Sequence, residues 1–183
     1  MVFYFAFGSN MAREVFLGRR TMQCEQGDPA VLDDHRLAFT QPGLLGIEPS
    51  FANIERAPGE QVHGVLWELS EAEFERLLTT ESPNYEPYEV EVRGRRVGTV
   101  KARTLRSRKV QAERPPSRRY QRLLLRGARE HDLPASYIAK LETMPVSYTP
   151  IVSEAFEHLV VPAVGFWFTH GLSRVQRLRK RFR

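Results

Sequence analysis

Within its first seventeen residues the chain changes hydrophobic period, and this limits what it can fold into. Met1 to Phe7 is an unbroken apolar run of the kind that forms a buried strand, whereas Met11-Ala12-Arg13-Glu14-Val15-Phe16-Leu17 has the spacing of a helix. Only Gly8-Ser9-Asn10 separates them. Gly8 allows the sharp turn and the close approach of a ligand to the backbone. Ser9 or Asn10 is expected to cap the helix through its side-chain oxygen. The N–H groups of the first helical turn would then favour an anion above the strand end.

A chain of 183 residues is long enough for one domain with a sizeable core. Cys24 is the single cysteine, so an internal disulfide framework is excluded and a thiolate zinc site is disfavoured. As a lone thiol it is a candidate nucleophile, although inert packing is the more frequent use of such a residue. His35, His63, His131, His158 and His170 show no metal-ligand spacing, and neither a Ser-His-Asp pattern nor a phosphate-cradling glycine loop is present. The N-terminus lacks the basic segment of a secretory signal, and its apolar stretch is too short to span a bilayer. With the sparing cysteine usage, this points to a cytoplasmic protein.

Further along, Leu37-Ala38-Phe39-Thr40 and Phe51-Ala52-Asn53-Ile54 read as short strands, Ala57-Pro58-Gly59 as a turn, and Gln61 to Leu69 as a central strand. Ser70 to Leu78 reads as a helix, with Ser70 and Glu73 forming a capping box and Phe74, Leu77 and Leu78 on one face. Tyr88 to Val92 and Gly98 to Leu105 read as a hairpin whose arginines form a solvated face. Pro115-Pro116-Ser117 starts a helix from Arg118 to about Glu130, and Leu133-Pro134 starts another that ends near Met144-Pro145. Strands come early and helices late, which predicts an α+β domain around one mixed or antiparallel, strongly curved sheet.

Glu81, in Thr79-Thr80-Glu81-Ser82-Pro83, follows directly on the helix that Ser70 caps. It is either a solvated loop carboxylate or a general acid/base whose proton affinity is raised by partial burial; spacing alone favours the first. Tyr120, at the start of the long helix, reads by itself as a packing residue.

These segments resemble the gamma-glutamylcyclotransferases. Tyr4-Phe5-Ala6-Phe7-Gly8-Ser9-Asn10-Met11 is similar to their Tyr-Gly-Ser-Asn signature. Phe51 to Ile54, Pro58 to Trp67, Glu81, Pro115 to Tyr120 and Gly127 to Pro134 follow in that family's order, over about residues 2–155. The resemblance implies a single-domain small mixed β-barrel with flanking helices over residues 1–157. It also implies release of 5-oxoproline and a free amine from a small-molecule γ-glutamyl substrate, a reaction for which no metal or organic cofactor is expected. It places the catalytic carboxylate at Glu81, a substrate cradle at Tyr4, Phe5, Ala6, Phe7, Gly8, Ser9 and Asn10, and a substrate-side tyrosine at Tyr120. Asn10 sets the chain apart from glutathione-specific relatives, which typically carry Leu there. Phe7 stands where the family usually has Tyr. The amine released could come from a γ-glutamyl amino acid, a γ-glutamyl-lysine-type amine, or a protecting γ-glutamyl group in a biosynthetic pathway. The alternative from a different class is a non-catalytic binding module on the same barrel.

Residues 158–183 lie outside the resemblance. Leu159 to Phe168 is strongly apolar but interrupted by Pro162 and Gly165. Arg174, Arg177, Arg179, Lys180, Arg181 and Arg183 follow with no acidic residue among them; these six exceed the net charge of +5, so the remainder is close to neutral. The expected reading is a packed segment with a frayed tail. The alternative is a weak, salt-sensitive contact with an anionic membrane surface or acidic partner, without specific nucleic-acid recognition.

Overall fold

Five strands close into a barrel in the computed structural model, which describes residues 1–148 apart from 25, 45 and 46. They are β1 (Val2–Ala6), β2 (Asp28–Leu44), β3 (Glu48–Leu69), β4 (Tyr85–Gly94) and β5 (Gly98–Ser107), arranged in the order β1-β3-β2-β4-β5. β1 lies antiparallel to β3, with Tyr4 opposite Trp67, and parallel to β5, with Tyr4 opposite Arg103; the parallel contact closes the barrel. The other pairings are antiparallel. With helices flanking it, this is the mixed α+β barrel expected. Barrel and helices form one unit, Met1–Ser147. The boundary expected at residue 157 and the extension 158–183 lie outside the described residues, which contain no helix long and apolar enough to cross a membrane.

One expected turn is absent. Ala57-Pro58-Gly59 lies inside β3, which is continuous where a short strand and a separate central strand were anticipated. The register between β2 and β3 shifts between Asp33 and His35, so the extra β3 residues bulge out. At the bulge Asp34 (φ 56°) and Gly59 (φ 80°) adopt left-handed backbone conformations, and the Gly59 N–H donates to the Asp34 carboxylate at 2.9 Å. Here the Pro-Gly signal marks an irregularity within a paired strand.

Three α-helices follow: α1 (Glu71–Thr80), α2 (Arg118–Glu130) and α3 (Ala135–Thr143). Ser70 Oγ accepts the Glu73 N–H at 3.1 Å, but the reciprocal half of the capping box is missing. The Glu73 carboxylate instead takes the Gln23 N–H at 2.7 Å and pairs with Arg76. Ser117 Oγ accepts the Tyr120 N–H at 3.0 Å, and α2 buries Tyr120, Leu123, Leu124, Gly127 and Ala128, the spacing of one apolar helical face.

The helix expected over Met11 to Leu17 is replaced by a 3-10 turn, Ser9–Met11, and a π-helical turn, Glu14–Arg19. Neither Ser9 nor Asn10 caps it; Gly8 occupies the cap position with no side-chain hydrogen bond. Two facts explain the departure. The Asn10 side chain is committed elsewhere, as shown below. In addition, α2 packs so closely on this segment that a Cβ at Gly127 would lie 2.5 Å from Met11 Cβ and 2.7 Å from the Ala12 nitrogen. The arginines of the β4–β5 hairpin do form a polar outer face, where Arg93, Arg96, Arg103 and Arg106 pair with Asp33, Asp28, Glu71 and Glu86.

Because backbone stands in the way at Gly127, Gly127→Ala should destabilise the fold by about 1–3 kcal/mol through overpacking, despite the better helix propensity of alanine. A drop of several degrees in the thermal melt checks this; an unchanged or higher melting temperature contradicts it.

Candidate active site

The end of β1, the 3-10 turn, the π-turn and the end of α1 meet around one carboxylate. Glu81 is the residue that ends α1, and its side chain is 10% exposed. Its Oε1 accepts a hydrogen bond from Asn10 Nδ2 at 2.7 Å and lies 3.0 Å from Arg20 Nη2. Asn10 Nδ2 also donates to the Tyr4 hydroxyl at 2.9 Å, while Asn10 Oδ1 accepts from Arg20 Nε at 2.6 Å. Arg20 Nη1 donates to Thr80 O at 2.7 Å and to Thr80 Oγ1 at 2.8 Å. The Asn10 main chain is held as well, because Trp67 Nε1 donates to its carbonyl at 3.1 Å. The carboxamide therefore uses both of its ends inside the cluster and has none left for capping.

Beside this cluster two tyrosines bracket one peptide. Tyr120, from α2, accepts the Ala52 N–H at 3.4 Å and is hydrogen-bonded by Ser9, and Tyr85 donates its hydroxyl to the Ala52 carbonyl at 2.7 Å. Gly8 is required here, since a Cβ would stand 2.9 Å from the Tyr120 hydroxyl. Burial pushes Tyr120 up to about 12, helped by the nearby Glu81 charge and opposed by its hydrogen bonds from Ala52 and Ser9. Burial first, then neighbouring groups that include Glu81, raise Tyr4 and Tyr85 well above the ordinary phenol range. All three phenols are thus protonated at neutral pH. A guanidinium does not give up its proton in a protein.

The structure gathers Tyr4, Gly8, Ser9, Asn10, Glu81 and Tyr120, all named from the sequence. Phe5, Ala6 and Phe7 are placed differently. Phe5 and Ala6 pair along β3, and the buried Phe5 and Phe7 rings lie 6.5 Å apart, so these three residues belong to the barrel wall and core. The hydroxyls near Glu81 come from Tyr4, Tyr85 and Tyr120. Arg20, Thr80 and Tyr85 were not anticipated. Arg20 stands in a basic pair that spacing cannot aim, and Tyr85 lies three residues before the alternation that marks β4. Among the described residues no cluster of three or more His, Cys, Asp or Glu side chains is placed to hold a metal ion. Cys24 lies apart, half-buried, its thiol pushed up to about 11 by burial and then by Glu73.

Behind the cluster the aromatic rings form a stack. Phe16 lies 5.7 Å from Tyr4 and 4.8 Å from Trp67, and His131 meets the Trp67 ring edge-on at 5.1 Å. Burial holds His131 below the ordinary imidazole value, with Arg13 acting in the same direction and Glu130 and the Met11 and Gly27 backbone against it.

Residues 61–141 match the model of the AIG2-like family. A gamma-glutamylcyclotransferase of Bos taurus is 30% identical over 164 residues, covering 86% of each chain. The Homo sapiens gamma-glutamylcyclotransferase is 30% identical over 168 residues, again covering 86% of each. A solved structure of a gamma-glutamyl cyclotransferase superposes with a TM-score of 0.75 at 27% identity, covering 88% of this chain and 98% of the other.

Two outcomes follow from the titrating groups. With a thiol near 11, Cys24 should resist alkylation by iodoacetamide at pH 7, and Cys24→Ser should leave turnover within about twofold; loss of turnover would make it a participant. For His131, the unfolded ring binds a proton near pH ~6.5 and the folded ring only at lower pH, so the unfolded state holds more protons in between and stability falls as pH drops. His63, shifted the same way by burial, adds to the effect. The melting temperature should decline from pH 7 to 5, and His131→Gln should flatten that decline; an unaltered slope removes His131 as a cause.

Proposed function

Since this chain belongs to the gamma-glutamylcyclotransferase family, we propose that it closes the glutamyl part of a γ-glutamyl amide into 5-oxoproline, with Glu81 as the general acid/base. The observation that carries this reading is the fixed carboxylate of Glu81, held beside a glycine turn among groups that keep their own protons. The substrate brings its own nucleophile, the α-amine, whose attack on the γ-carbonyl closes a five-membered ring, so no serine or cysteine is needed and proximity supplies much of the rate. Oriented donors suit the carbonyl oxygen as it gains charge, and the Gly8–Ser9 turn and the Tyr120 hydroxyl are the donors at hand.

The proton balance suits a single carboxylate. The α-ammonium gives one proton to Glu81, and the free amine attacks the carbonyl carbon of the γ-glutamyl amide. The ring nitrogen then loses a second proton as the C–N bond to the leaving amine breaks. Both protons reach the leaving nitrogen, which departs as an ammonium ion, and Glu81 ends as the carboxylate it was at the start. Residues Tyr4 to Asn10 and Tyr120 bind the glutamyl part in this reading. Phe5, Ala6 and Phe7 act through the backbone and the wall they form. The Glu81 cluster also weighs against a retired binding scaffold, which has no use for a buried carboxylate with a dedicated counter-ion.

Release of 5-oxoproline from γ-glutamyl-alanine, ε-(γ-glutamyl)-lysine and glutathione tests the proposal. Glu81→Gln keeps an oxygen that can accept from Arg20 and should still fold, with a lowered melting temperature, and lose about 10²–10⁴-fold in turnover on whichever compound the wild type accepts. Near-wild-type release by that variant would assign the proton transfer to another group.

A further inference from the structure

We infer that Arg20 is a positioning residue for this reaction: it holds Glu81 by Oε1 and leaves Oε2 as the oxygen that exchanges protons with substrate. The inference rests on the assignment of Glu81 as acid/base. Two donors, Asn10 Nδ2 and Arg20 Nη2, converge on the same oxygen at 2.7 and 3.0 Å. Oε2 accepts no hydrogen bond among the described residues. With both donors on one oxygen, the carboxylate plane cannot turn without losing both.

Arg20 also grips the main chain just ahead. Its Nη1 donates to Thr80 O and Thr80 Oγ1, so one planar group fixes the peptide that leads into Glu81, the Glu81 carboxylate and the Asn10 carboxamide. Only a fork-shaped guanidinium can reach all three; an ammonium is a single point of charge.

The backbone around Arg20 is fixed at a cost. Its N–H donates to Val15 O at 2.9 Å, across the π-helical turn. The next residue, Thr21, is β-branched yet sits at φ 52°, a strained conformation that survives only where the surroundings impose it. Arg76 imposes it: Nη2 donates to Thr21 O at 2.6 Å, and Nη1 to Thr21 Oγ1 at 2.9 Å and to Arg20 O at 3.3 Å. Arg76 belongs to α1, as does Thr80, and Glu81 ends that helix. One helix therefore presents the carboxylate and also sets the strained corner from which Arg20 reaches it.

The test is steady-state 5-oxoproline release by Arg20→Ala, Arg20→Lys, Glu81→Gln and Glu81→Gln/Arg20→Ala, each checked for folding by thermal melt. Arg20→Ala should lower kcat about 10²-fold or more with KM changed less than about threefold, the signature of lost preorganisation. Guanidinium ion added at millimolar concentration should restore about tenfold of the loss. Arg20→Lys should recover little, and in the Glu81→Gln background Arg20→Ala should cost nothing more. A kcat within about threefold of wild type, a loss carried by KM, or additive losses in the double variant would each overturn the inference. If Arg20→Ala does not fold, Arg20→Lys keeps the counter-charge and carries the same test: a kcat loss at unchanged KM supports the role, and a wild-type kcat refutes it. An active Glu81→Gln would sink the assignment of Glu81 itself. An inactive Glu81→Gln beside a fully active Arg20→Ala would sink only the role given to Arg20.

Discussion

The ion pair between Glu81 and Arg20 organises everything around it. Both side chains are largely withdrawn from water, at 10% and 18% exposure, so each needs the other and needs its remaining hydrogen bonds filled. Removing one partner of such a pair typically costs about 3–5 kcal/mol, because the other is left as an unpaired charge. Asn10 and Thr80 satisfy the guanidinium, and Asn10 in turn is tied to Tyr4 and Trp67. The departures from regular structure nearby serve the same pair. The 3-10 turn puts Asn10 between Tyr4 and Glu81, and the π-turn delivers Arg20 where an ordinary helix would have aimed it differently.

Around the pair the chemistry is divided by proton affinity. Burial raises Tyr4, Tyr85 and Tyr120, which confines the phenols to donating and accepting hydrogen bonds. The low dielectric that burial brings also strengthens each of those hydrogen bonds. Such an arrangement suits a reaction whose nucleophile arrives within the substrate: the protein has to position, neutralise and shuttle, and has no need of a covalent intermediate.

Much of this was legible in the sequence where the signal is local. Ser117 caps α2 and Ser70 caps α1 because a short hydroxyl before an amphipathic run has one favoured use. The buried strand Val2–Ala6 and the chain reversal at Gly8 were legible too, from an unbroken apolar run that ends at a glycine. What stayed hidden depends on partners distant in the chain. Asn10 has the residue type of a cap, yet it is drawn to Glu81, 71 residues away. Arg20 looks like any surface arginine until α1 is set against the π-turn. Ala57-Pro58-Gly59 carries turn chemistry, but pairing with β2 outweighs it and the chain bulges. The capping box fails in its second half because Glu73 finds the Gln23 N–H and Arg76 instead of its own helix start. In each case tertiary context overrides a correct local preference.

β1 is five residues long and, among the described residues, is the strand that pairs with both β3 and β5, so the barrel closes where Tyr4 meets Arg103, a contact spanning almost a hundred residues. The groups around Glu81 come from β1, the turns that follow it, the end of α1, the start of β4 and the first turn of α2. Bringing them together carries the loop-closure entropy of the whole barrel. The cluster is thus a property of the closed barrel, since β1 and the turns after it supply Tyr4, Asn10 and Arg20, and distant segments supply Glu81, Tyr85 and Tyr120.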